Sequence, residues 1–321
     1  MPLPERGAII FLVKAAAVFF ALCLPALADS AAGLQAFKNG DYATALKEFL
    51  PLAEQGNAFA QFNLGFMYDH GQGVAQDYGE AVRWYRLAAD KGVPSAQFNL
   101  AAMYIEGHGV LRDYAEAVRW YRKAAEQGNA GAQFNLGLAY YRGEGVPQDY
   151  AEAALWFRRA AEQGDASAQF NIGVAYDLGK GVPQNYAEAL RWFRRAAEQG
   201  DAGAQFNLGV TYDRGKGVPQ DYAEALRWYL KAAEQGHARA QFNVGVMYEN
   251  GQGTPQDFVQ AHLWLNLAAS RASGDDQREF ANQRDILAGG MTAQQIAEAQ
   301  RMARDWKPKP EAGEPATPPK K

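Results

Sequence analysis

The chain is poor in the residues that carry covalent and metal chemistry. Its 321 residues include one cysteine, Cys23, and four histidines. Cys23 lies in an apolar N-terminal run, so a chain cleaved after that run would hold no cysteine. Disulfides, thiolate catalysis and a zinc site with Cys ligands are then excluded. His70, His108, His237 and His262 are scattered and form no ligand cluster. Serines occur only at positions 30, 95, 167, 270 and 273. None sits in Gly-x-Ser-x-Gly or has a lysine three residues later, so the usual serine-nucleophile contexts are missing. Strong charge of either sign is also lacking. A net charge of −4 argues against a nucleic-acid partner, which would need a basic surface to neutralise phosphate.

The only long hydrophobic run is at the N-terminus. Arg6 precedes "AIIFLVKAAAVFFALCLPALA", which is apolar apart from Lys14. Pro25 and then Ala26-Leu27-Ala28 match a signal-peptidase site, so residues 1–28 read as a signal peptide cleaved before Asp29. The alternative is an uncleaved anchor, but Lys14 leaves the run shorter than the ~20 residues a spanning helix needs. Export without cysteine fits a bacterial periplasm or secretion. Once the signal is removed, the protein is not expected to be integral to a membrane.

What the chain has in abundance is repetition. Gln-Phe-Asn begins at Gln61, Gln97, Gln133, Gln169, Gln205 and Gln241, a step of 36 residues each time. Six copies fill 58–273, which is the mark of a solenoid. In the fifth copy Ala204, Leu208 and Tyr212 mark one stripe of a first helix, helix A. A Gly-x-Gly-Val-Pro-Gln loop follows. Asp221 with Glu224 three residues on fits a capping box opening a second helix, helix B. Gly236 ends that helix, like Gly92, Gly128, Gly164 and Gly200. The glycine loop has neither the preceding strand nor the following Lys-Ser/Thr of a phosphate cradle. It reads as a hinge of the repeat.

The unit "AQFNLGVTYDRGKGVPQDYAEALRWYLKAAEQG" resembles the Sel-like repeat, a relative of the tetratricopeptide repeat. The resemblance is carried by A-x-x-x-L-G-x-x-Y, G-x-G-V, A-x-x-W-[YF] and K-A-A-E-Q-G, in register six times. It implies an all-α fold, a right-handed α-solenoid of antiparallel helix pairs. Ala101 for Gly in copy two and Ala75 for Pro in copy one are mild departures. Residues 29–57 read as an N-terminal tetratricopeptide-like capping pair with a short Asn39-Gly40 loop.

At the other end, Leu263 and Leu267 replace the Arg227 and Lys231 of copy five, so something must cover them. Residues 274–306 are expected to supply two capping helices, offering Phe280, Ile286, Leu287, Ile296 and Met302. Residues 307–321, rich in proline and charge, read as a disordered tail.

The segment "RWYRKAA" and its copies interleave basic and aromatic residues. Amphipathic spacing places Trp120 and Tyr121 inward, and Arg119, Arg122 and Lys123 on an outer face with Glu116 and Glu126. Helix A is apolar on two sides, so it is either buried twice or buried once and used once. The resemblance places the Phe62 side on the concave surface where tetratricopeptide-like arrays bind ligands. The candidate binding residues are Phe62, Phe66, Asp69, Phe98, Ile105, Phe134, Tyr141, Arg142, Phe170, Asp177, Phe206, Asp213, Arg214, Phe242 and Glu249. The six constant phenylalanines either line this groove or pack on helix B of their own repeat. Asparagines such as Asn135 either bond a ligand's backbone or tie repeats together. These features predict a non-enzymatic scaffold of the bacterial cell envelope, without cofactor or metal, that binds a protein segment or peptide. The alternative is a factor that binds or processes cell-wall glycan.

Overall fold

The computed structural model describes residues 30–309; the expected signal peptide lies outside them. Every regular element among the described residues is a helix. The order is α1 (Ala31–Lys38), α2 (Tyr42–Glu54), α3 (Ala58–His70), α4 (Tyr78–Asp90), α5 (Pro94–Glu106), α6 (Tyr114–Glu126), α7 (Ala130–Arg142), α8 (Tyr150–Glu162), α9 (Ala166–Leu178), α10 (Tyr186–Glu198), α11 (Ala202–Arg214), α12 (Tyr222–Glu234), α13 (Ala238–Asn250), α14 (Phe258–Arg271), α15 (Gly274–Ala288) and α16 (Ala293–Asp305). Among the described residues two compact units are formed: 30–96 with His108–Val110, and Gln97–Gly107 with 111–309.

Both helices of the repeat start and stop on recurring chemistry; copy two departs from it, with Val93 and Pro94 at the start of helix A. Asn57, Asn129, Asp165 and Asp201 cap helix A by accepting the N–H three residues on. A left-handed glycine ends it, with φ of 64° at Gly71 and 72° at Gly143. Asp77, Asp113, Asp149, Asn185 and Asp221 cap helix B. The expected capping box is only half formed there. The N-cap's own N–H is already taken by a helix-A tyrosine carbonyl, as in Asp149 N–H to Tyr140 O at 2.9 Å. The glutamate therefore turns elsewhere: Glu116 accepts from Trp120 Nε1 at 2.9 Å, and Glu188 pairs with Arg191 at 2.6 Å. The full box does form at Thr292 and Gln295, opening α16.

In the N-terminal unit, Phe49, Leu64, Met67 and Trp84 form a core with Leu34, Phe37 and Leu46 packed on it. Helices α1 and α2 supply Leu34, Phe37, Leu46 and Phe49 to this core. In the C-terminal unit, a glycine in mid-helix A admits a ring from helix B. A Cβ on Gly137 would lie 2.7 Å from the Phe157 ring.

Successive repeats of this second unit are joined by three recurring contacts. Gln133 Nε2 donates across the joint to the Ala125 carbonyl at 3.0 Å, and within its own repeat its Oε1 accepts from Gln163 Nε2 at 2.8 Å. The same relay runs through Gln169 with Gln199 and Gln205 with Gln235. Arg122 and Arg158 donate to the hydroxyls of Tyr140 and Tyr176, and Arg194 donates to Tyr212 at 2.6 Å. Arg122 is therefore half-buried in a joint and not free on the outer face. Finally, the second glycine of each loop abuts the start of helix B in the preceding repeat.

The glutamine relay breaks where its partner changes. Gln61 and Gln241 each bury an Oε1 with no protein partner. Lys91 and Arg271 stand where the other copies place the donating glutamine. Lys91 bonds only the Gly56 carbonyl, whereas Gln235 serves both the equivalent Gly200 carbonyl and Gln205. Lys91→Gln is expected to make both bonds and to raise stability by about 1 kcal/mol, read as a higher urea midpoint.

Helices α15 and α16 pack on the last repeat. Leu263 and Leu267 are buried, with Met302, Ala303 and Trp306 packed on their cluster. Phe280 stacks on Phe242 at 4.4 Å, and Leu287 is buried. Ile286, expected in this cover, is instead 61% exposed, because the helical turn that buries Leu287 points it outward. Residues 307–309, read with the tail, are held: the Lys309 N–H donates to the Glu234 carbonyl at 2.8 Å. The rest of that segment lies outside the described residues.

Candidate functional site

Helix A supplies the candidate surface in both units. In the N-terminal unit Phe62 packs on Tyr85, with ring centres 6.0 Å apart. Phe66 lies between Phe37 at 5.9 Å and His70 at 4.0 Å. Asp69 accepts from the Tyr85 hydroxyl at 3.2 Å. All three carry internal contacts as well as a half-exposed edge.

In the C-terminal unit the phenylalanines take the packing role. Phe98 meets Tyr121 at 5.6 Å, Phe134 meets Phe157 at 5.9 Å, and Phe170 meets Phe193 at 6.1 Å, each on helix B of its own repeat. Phe206 is buried between Tyr229 and His237, and Phe242 lies under Phe280. Phe98, Phe134 and Phe170 keep a half-exposed edge. The asparagines divide: Asn63 and Asn171 donate to the carbonyls of Phe59 and Ser167, one turn back in their own helices, whereas Asn243 hydrogen-bonds Tyr229 of the preceding repeat and so ties the two repeats together.

Beyond the phenylalanines, the residues closing helix A differ from copy to copy. Ile105 is half-buried. Tyr141 stands edge-on to Tyr150 at 5.3 Å, with the Lys180 ammonium 5.8 Å from its ring. Arg142 is exposed and 3.8 Å from Glu144. Asp177 pairs with Lys216 at 3.3 Å, beside an exposed Leu178. Asp213 accepts from the Tyr229 hydroxyl at 3.4 Å, Arg214 is exposed, and Glu249 accepts from Gln283 at 2.8 Å. Burial, reinforced by Asp213, raises the Tyr229 pKa, so this hydroxyl stays a neutral donor. Tyr121 is raised likewise, by burial and then Glu106.

Lys180 and Lys216 were not anticipated. They occupy the x of Gly-x-Gly and reach back to Tyr150 and Tyr186, which open helix B one repeat earlier. Their signal is a constant separation of 30 residues, visible only once the fold says which repeats touch. His108 makes the same contact in the N-terminal unit, stacking on Tyr78 at 4.3 Å.

His237 caps α13, accepting the Ala240 N–H on Nδ1 at 3.2 Å. Burial, and then Arg239, lowers its pKa from 6.5 to about 4. The folded state thus disfavours the proton. The stability this group contributes is complete above pH 6.5 and is lost as pH falls through that value toward 4. The loss should be on the order of 2–3 kcal/mol. His237→Asp, which restores the cap used at 165 and 201, should flatten the fall in urea midpoint between about pH 7 and pH 4.5.

Among the described residues no group of three or more His, Cys, Asp or Glu could hold a metal ion. No described helix is long and apolar enough to cross a membrane. Capped helix pairs repeating every 36 residues, joined by side-chain relays, define an α-solenoid repeat protein. The chain belongs to the Sel1 repeat family, whose model matches 58–93, 94–129, 130–165, 166–201, 202–237 and 238–273. A Sel1 repeat protein from Oxalobacter formigenes is 35% identical, with a TM-score of 0.66 over 77% of this chain and 98% of that one. The c5321 protective antigen of uropathogenic Escherichia coli strains is 28% identical, with a TM-score of 0.43 over 88% of this chain and 91% of that one. No curated protein matches the chain. Sel1 repeat proteins are in general non-catalytic scaffolds for protein interaction.

Proposed function

We propose that this protein is a non-enzymatic scaffold of the bacterial cell envelope that binds a protein segment or peptide across its helix-A surface, the concave face of the array. One observation carries the reading. The constant residues of the repeat are consumed by packing and by joints, while the pairs Tyr141-Arg142, Asp177-Leu178 and Asp213-Arg214 differ at one place on helix A and keep exposed edges. A surface freed from structural duty can specialise for a partner. The N-terminal segment, with cleavage before Asp29, would deliver the protein to the periplasm or outside the cell.

Photoreactive residues at Tyr141, Asp177 and Asp213 should capture a protein partner in cells, and the same probe at Arg119 or Arg159 should not. Capture from those helix-B positions alone would overturn the face assignment. Turnover of muropeptides, abolished by one carboxylate change on helix A, would overturn the scaffold reading in favour of a glycan factor.

A further inference from the structure

The last residues of three successive A helices read Arg, Leu, Arg. Helices α7, α9 and α11 end in Arg142, Leu178 and Arg214, each at the same place in its repeat. All three side chains are exposed, Leu178 by 45%. The joints set the three ends side by side. Lys180, two residues beyond Leu178, lies 5.8 Å from the Tyr141 ring, and Lys216, two beyond Arg214, pairs with Asp177 at 3.3 Å. An exposed leucine therefore sits between two exposed arginines.

The charges around this leucine do not cancel. Each carboxylate at these helix ends is already engaged: Glu144 lies 3.8 Å from Arg142, Asp177 pairs with Lys216, and Asp213 accepts from the Tyr229 hydroxyl. Lys180 and Arg214 pair with no carboxylate among the described residues, and Lys180 rests instead on the rings of Tyr141 and Tyr150. The local surplus is positive, although the whole chain carries −4. It is also bounded. In the copies on either side, α5 ends in Glu106 and α13 ends in Glu249-Asn250.

A lone exposed leucine would mean little. Here its surroundings define what can cover it. A second copy of the same strip would set like charges against each other. A wholly apolar partner would strip water from Lys180 and Arg214 and return no hydrogen bond. Carboxylates flanking an apolar side chain meet both demands. Packed helices lie ~8–10 Å apart, and a polyproline II strand shows the same side every three residues, a rise of ~9 Å. We infer that this strip binds an extended acidic peptide segment, its large apolar residue on Leu178 and a carboxylate three residues to each side at Arg142 and Arg214. The inference rests on the helix-A reading of the proposed function and narrows its partner.

Selection on the full chain from a display library of random peptides tests this, with the recovered peptides remade carrying a photoreactive group and their crosslinks mapped. They should carry Asp or Glu three residues before and after Leu, Phe or Met, and crosslink to the ends of α7, α9 and α11. Arg142→Glu with Arg214→Glu should weaken their binding about tenfold, as two exposed attractions become repulsions. Selection on that variant should yield Lys or Arg at both flanks, a gain that an unfolded chain cannot show. Leu178→Arg, which installs the residue of the neighbouring copies, should keep the acidic flanks and lose the apolar centre. Peptides that crosslink to these ends without acidic flanks, or flanks that do not invert on the variant, would overturn the inference and leave the scaffold reading standing. Crosslinks only away from helix A, or no peptide recovered above the bare support, would overturn both.

Discussion

Gly181→Ala is expected to destabilise the protein by on the order of 4 kcal/mol, more than any other single methyl added to a loop. Two costs combine. Gly181 has φ of 73°, where a side chain costs ~1–2 kcal/mol. The added Cβ would also lie 1.9 Å from the Tyr150 carbonyl oxygen and 2.2 Å from its carbon. Those atoms belong to the first turn of α8, which cannot rotate away as a side chain could. Relief requires parting the third and fourth repeats, and with them the Gln169–Ala161 and Arg158–Tyr176 bonds nearby. Gly164→Ala is the control. It has φ of 98° but nothing within 4 Å of the new Cβ, so it should cost only the backbone term, ~1–2 kcal/mol. Because a solenoid's stability is nearly a sum of repeats and joints, the damage should be local. Amide exchange should accelerate in α8 and α9 well before the far repeats respond. Equal urea midpoints for the two variants would refute the account.

That joint also shows where sequence reasoning stops. The glycine loop is legible as a hinge, because Gly179 ends α9 in the left-handed region and Asn185 caps α10 by purely local bonds. The reason for the second glycine lies 31 residues away in another repeat, and no local pattern encodes it. Arg122 is a similar case. Amphipathic spacing puts it outside, but its length lets it cross to a tyrosine hydroxyl 18 residues on. Glu116 departs from the capping box because Tyr104 O had already claimed the Asp113 N–H. The helix pairs, their ends and their caps are thus readable from pattern alone. Partners across repeats become readable only when the 36-residue period is used as a map of neighbours. Of the candidate surface, variation along helix A is legible at its closing positions, whereas the contacts of the constant phenylalanines with helix B of their own repeat needed the fold.

A chain ending at residue 273 is expected to lose solubility, and the loss should be reversible by two substitutions. Leu263, Trp264 and Leu267 are buried against α16 and Trp306, and Phe242 against Phe280. Removing the cap would return these side chains to water at ~1.5–3 kcal/mol each, on the order of 5 kcal/mol together. It would also leave a contiguous apolar face, which drives association. The truncated chain should therefore elute as oligomers or precipitate. Leu263 and Leu267 stand where the preceding repeat has Arg227 and Lys231, each lying over Trp228 at 5.2 and 4.2 Å. Leu263→Arg with Leu267→Lys in the truncated chain should rebuild that cationic cover over Trp264 and give the last repeat a solvated outer face. A monomer on size exclusion, with helicity per residue near that of the full chain, is the expected outcome. If the doubly substituted chain still aggregates, the cap contributes more than cover. The bridge from Arg239 to Asp276, bonded at 2.8 and 3.1 Å, would then be the next contact to test, because it ties α15 to the first turn of α13 independently of the leucines.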